Sequence, residues 1–272
     1  MHPLLFGFVI VDFTMFLGLF TAMVVLNLAL MVLLGGKDEL SKAFAVGSFL
    51  IFLWIVAVSL FQHSTSTFSS DNIKLFLEYA PRLTYYLGLL ISFAFFYFCY
   101  IFPIPPANAR QIKIILVVLS IMLLQVFFAT DLIIGGTSGW LGNNIFGFQS
   151  IDWYKGPLLN IYNIVFIGLL VAGPTFVYKR MKQTADPILK KNMQFMFWSI
   201  VAGFVPAIIV NIILPTIGNN DYNVVGTFTP NIWVFIVGYS IMKYHQMKIL
   251  VVYSEVLIVA MIMILFVNIF LP

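Results

Sequence analysis

The sequence predicts an all-α fold, a polytopic bundle of about eight transmembrane helices with almost no water-soluble part. Three observations predict it. Hydrophobic residues make up 62% of the 272-residue chain and charged residues only 9%, against roughly 25% charged in a soluble domain, so the chain has too little polar surface to face water. The apolar residues gather in long runs, each near the ~20 residues with which an α-helix crosses a hydrocarbon core. The runs are continuous. They lack the alternation of polar and apolar residues that marks the ~10-residue strands of a membrane barrel.

The first run extends from about Phe8 to Leu34 and contains Asp12. The second is Ala43 to Phe61, and the third lies between Arg82 and Pro103. The fourth is Ile114 to about Ile134, interrupted late by Asp131. The fifth is Leu158 to Tyr178 and the sixth Phe195 to Leu214. The seventh spans about Val224 to Met242, and the eighth Ile249 to Leu271. Pro81, between Glu78 and Arg82, predicts that the third helix starts there; the four-residue spacing of Glu78 and Arg82 also suits a helical ion pair. The stretch from Asp131 to Pro157 is rich in Gly and Asn and holds Trp140 and Trp153, which suits an ordered cap or re-entrant piece at the membrane surface.

Charge sets the expected orientation. The loops after runs one, three, five and seven hold Lys37, Lys42, Arg110, Lys113, Lys179, Arg180, Lys182, Lys190, Lys191, Lys243 and Lys248. The other loops and their flanks hold Lys74, Arg82 and Lys155. Basic residues favour the cytoplasmic side, so the N-terminus is expected outside. The same scattering explains the net charge of +4 without a nucleic-acid partner, since the bases form no patch. The N-terminus lacks the basic start and short apolar stretch of a cleavable signal peptide.

The residues argue against several kinds of chemistry. One cysteine, Cys99, leaves no intrachain disulfide or cysteine cluster. His2, His63 and His245 fall in three different places, so no metal centre is expected. No glycine-rich phosphate loop or nucleophile elbow occurs, and no cofactor is expected. The seventh run has no lysine before Lys243, which excludes a retinal Schiff base in mid-helix. Asp12 and Glu255 fall toward opposite faces and cannot form one site; each suits an interfacial carboxylate. Asn27, Gln125, Asn163, Asn211 and Asn268 lie deeper, where bonds between helices are their ordinary use. The candidate ligand-binding surface is the outer half of runs four to seven, with Gln125, Trp140, Trp153, Asn163 and Asn211. Pro174, Pro206 and Pro215 can kink the fifth and sixth helices around it.

Several short local signatures occur along the chain. They are Lys42-Ala43-Phe44 with Trp54 after it, Arg82-Leu83-Thr84-Tyr85, and Phe102-Pro103. Further on come Gln194, then Pro206, Asn211, Leu214 and Pro215. The most telling stretch is Gly238-Tyr239-Ser240-Ile241-Met242-Lys243-Tyr244-His245, where His245 stands at a place often taken by arginine. Together these stretches resemble the N-terminal, roughly seven-helix sensor region of bacterial histidine kinases, and the resemblance covers about residues 5–250. It implies a sensor-like part over 1–248 and an extra helix over 249–272, with Tyr239, Lys243, His245 and Glu255 on the path to an output. It also implies the bacterial cytoplasmic membrane and a small-molecule or membrane signal. The expected partners are the lipid bilayer and a second copy, joined through a cytoplasmic module that this chain lacks. No phosphoacceptor helix or nucleotide motif is present in these residues, so the chain is not expected to be an enzyme as it stands. Phe270-Leu271-Pro272 is still apolar, and a further run followed by a soluble module is expected beyond it. A small transporter or channel, or a non-catalytic membrane scaffold, are the alternative readings.

Overall fold

The computed structural model describes residues 3–67, 72–143, 149–214 and 229–244, with side chains over 16–60, 79–134, 155–214 and 229–238. The elements are α1 (Pro3–Gly35), α2 (Glu39–Thr67), α3 (Asn72–Ile101), α4 (Ala109–Ala129), β1 (Ile134–Asn143), β2 (Gln149–Lys155), α5 (Leu159–Gln183), α6 (Pro187–Ile208) and α7 (Pro230–Tyr244). A π-helical turn over Ile209–Ile213 continues α6. Six of these helices are long and apolar enough to cross a membrane. The protein is therefore a membrane-embedded helical bundle, with six candidate spans and α7 among the described residues. The expected eighth helix, 249–271, lies outside them, as do His245 and Glu255.

One expectation is corrected and another takes a definite form. The α3 helix does not begin at Pro81 but at Asn72, and runs through the proline. A proline inside a helix removes one ladder bond, which a bundle of neighbouring helices in a membrane tolerates. The segment between α4 and α5 is an antiparallel two-stranded hairpin, with Trp140 opposite Ile151 and Thr137 opposite Trp153. Pairing satisfies backbone groups that a loose loop would leave to water or lipid.

Caps explain the ends nearest the basic loops. Asp38 precedes α2 and accepts from the Ser41 backbone N–H at 3.3 Å. Asp186 precedes α6 and accepts from the N–H groups of Ile188 and Leu189, with Pro187 in the first turn.

The α3 helix is the central one. It packs against α2, α4 and α5, while α1 packs on α2 and α7, and α6 on α5 and α7. The heart of the bundle is Trp233 of α7, which is 1% exposed. Its ring lies 5.5 Å from that of Phe44 on α2, 5.6 Å from both Phe95 and Phe98 on α3, and 5.7 Å from Phe204 on α6. Between helices in lipid, contact of this kind replaces the hydrophobic drive of soluble cores. Close approach depends on Gly203, where an added Cβ would lie 3.0 Å from Trp233 Cβ and 3.1 Å from its backbone nitrogen. Backbone cannot swing aside, so Gly203→Ala is expected to cost about 1–3 kcal/mol through overpacking. A lowered midpoint of thermal unfolding in detergent would show it; an unchanged midpoint would contradict this contact.

Candidate functional site

The residues expected to bind ligand are spread apart. Gln125 lies on an exposed face of α4, while Asn163 on α5 and Asn211 in the π turn are half-buried. Among the described residues none of these amides hydrogen-bonds another. Trp140 and Trp153 sit on the two hairpin strands, at positions whose side chains are outside those described, as are those of Tyr239 and Lys243 on α7. At the base of the hairpin the space is filled. Phe127, Ile133 and Tyr162 cluster with Leu89 and Phe93, and Tyr85 and Tyr86 pack against them. The Tyr162 hydroxyl donates to the Tyr85 carbonyl at 3.0 Å.

Arg82 ties the hairpin end together. Its side chain, 6% exposed, donates to Asp131 at 2.5 Å and to the carbonyls of Phe128 and Thr130 at 3.3 and 3.5 Å. Those carbonyls belong to the end of α4, where the helix leaves acceptors without partners and its dipole favours a cation. This geometry makes Arg82 an anchor for the end of α4; the side chain of Glu78, which the sequence spacing offers as an ion-pair partner, lies outside those described.

A cleft opens at the other end of the bundle. Both α2 and α4 pack on α3, and the groove between them encloses about 230 Å³. Its walls are Val46 and Leu50 of α2, Leu90 and Phe93 of α3, and Leu116 and Val117 of α4. Its mouth is polar, formed by Glu39, Lys42, Tyr97 and Lys113. The Lys113 ammonium donates to Glu39 at 2.7 Å, and the Tyr97 hydroxyl donates to the same carboxylate oxygen at 3.0 Å. That pair bridges α4 to α2 over the end of α3. Lys42 is exposed beside it.

Only the width of α2 and α3 separates this cleft from the aromatic centre. Ala43 lines the cleft and the adjacent Phe44 packs on Trp233. Ala94 lines it and Phe95 packs on Trp233. Successive residues of a helix point to different sides, so α2 and α3 each present one side to the cleft and another to α7.

The cleft was not visible in sequence. Glu39 and Lys113 are 74 positions apart, and each reads alone as an ordinary interfacial charge. Among the described residues no three His, Cys, Asp or Glu side chains gather as metal ligands would. In comparisons with known proteins, the chain matches no family model and no curated protein.

Proposed function

We propose that this protein is a membrane-embedded signal-input domain of the histidine-kinase type, set in a bacterial cytoplasmic membrane with its N-terminus outside. The observation that carries this reading is the double use of α2 and α3. They line a cleft on one side and hold Trp233 of α7 on the other. A change in how the cleft is filled would move Phe44 and Phe95 against Trp233 and so bias α7. Close-packed interfaces switch between arrangements rather than deform smoothly, which suits a two-state input. The stretch resembling the kinase sensors, Gly238 to His245, begins on α7 itself. Output through a cytoplasmic module, shared by two copies, completes the proposal.

The test is a distance. Spin labels at Ile115 of α4 and Phe235 of α7, both exposed, are placed as cysteines in a Cys99→Ala background. Two distance populations are expected, with a ratio that changes with bilayer composition. Phe44→Ala should make the ratio insensitive. A single distance in every bilayer, together with solute flux through reconstituted vesicles, would replace the sensor reading with transport.

A further inference from the structure

We propose that the groove between α2 and α4 holds one acyl chain of an anionic phospholipid from the leaflet at the basic end, with its headgroup at Lys42 and Lys113. The inference rests on the signal-input reading above and names the class of its stimulus. Three features of the cleft select this occupant.

The first is shape. From Glu39 to Leu50 the wall of α2 covers twelve residues, a rise of roughly 16 Å at about 1.5 Å per step. That is close to half of a ~30 Å hydrocarbon core, one leaflet deep. The volume of about 230 Å³ is below the ~300–1,000 Å³ of pockets for drug-sized molecules, and suits a single slender chain. The second is access. Val46 and Val117, on the two rims, are 55% and 50% exposed, so the groove is open sideways to lipid as well as at its mouth. The third is charge. Deep in the groove the walls are apolar except for Ser120, whose hydroxyl donates to the Val117 carbonyl of its own helix at 2.7 Å, while the mouth carries two ammonium groups against one carboxylate. Glu39 engages Lys113 at 2.7 Å and leaves exposed Lys42 as the net positive charge. A phosphate at the interface meets that charge at the mouth, beside the hydrogen bond from Tyr97 to Glu39. A zwitterionic headgroup offers no net charge in return.

The experiment uses the full chain, stripped of lipid in detergent and titrated with phosphatidylglycerol or with phosphatidylcholine of the same chains. Native mass spectrometry counts the lipid retained. One phosphatidylglycerol is expected to survive activation that removes phosphatidylcholine. Lys42→Gln should lower the preference about fivefold, the effect of one lysine near an anionic surface. Glu39→Gln should raise it, because the charge on Lys113 is then free; a purely structural role for Glu39 predicts no rise. Val46→Trp, at an exposed rim where folding is spared, should cover the groove and remove the retained lipid. Equal retention of the two lipids would overturn the proposal. So would Val46→Trp leaving phosphatidylglycerol bound, or a second copy of the chain found in the groove by cross-linking. Retention of phosphatidylglycerol without any change in the α4–α7 distance would leave the lipid site standing and remove the signal-input reading.

Discussion

Trp233→Ala is expected to be the most damaging single truncation among the described residues. In soluble cores such a change costs about 3–5 kcal/mol, from lost transfer energy and the cavity left behind. Here the neighbours are helices in lipid, so the transfer part shrinks and the packing part remains. A cost near ~3 kcal/mol is therefore expected. Four aromatic rings from three helices lose their common contact at once. Trp198→Ala is the control. Trp198 is 59% exposed and should lose little. Thermal unfolding in one detergent compares the two, and equal midpoints would contradict a bundle centred on Trp233.

Arg82→Met is expected to have the next largest effect, at the hairpin end. Methionine keeps the apolar stem but leaves the carbonyls of Phe128 and Thr130 without their donor. Hydrogen bonds to a charged group contribute about 1.5–3 kcal/mol, and the acceptors left unpaired here are half-buried, so their added cost falls short of that of fully buried ones. Asp131→Asn should cost less than about 1 kcal/mol, because Asp131 is 64% exposed and its half of the pair is screened by water. The order of the two variants is the prediction. If Asp131→Asn is the more damaging, the pairing of charge matters more than the capping of α4.

These two sites show what could and could not be read from the chain. The apolar runs placed α1, α2, α4, α5 and α6 because a membrane span writes its own length and composition into consecutive residues. Arg82 stood out as a charge at a span boundary, and its anchoring role follows from its chemistry. Its partner Asp131, 49 positions away, read only as an interruption of the fourth run. The start of α3 was misread because Pro81 has two meanings, a first-turn residue or a tolerated interior one, and only the surrounding bundle decides between them. The hairpin was hidden by glycines and asparagines, which mark turns without saying which strands pair. The π turn after Pro206, which carries Asn211, has no signal beyond the proline itself. The cleft depends on two helices flanking a third, and no local pattern records that.

A signal-input domain requires a sealed bundle, whereas a transport path requires a wet one, and thiol accessibility distinguishes the two. Ser48, Ser92 and Ser199 are buried on α2, α3 and α6. Each is replaced by cysteine in a Cys99→Ala background and exposed to a membrane-impermeant thiol reagent from either side. Gln183→Cys, exposed at the basic end of α5, serves as the reactive control and should label only from the cytoplasmic side. No labelling is expected at the three buried positions from either face. Labelling of any of them at a rate near that of position 183 would contradict a sealed bundle, and would mean that water reaches its centre.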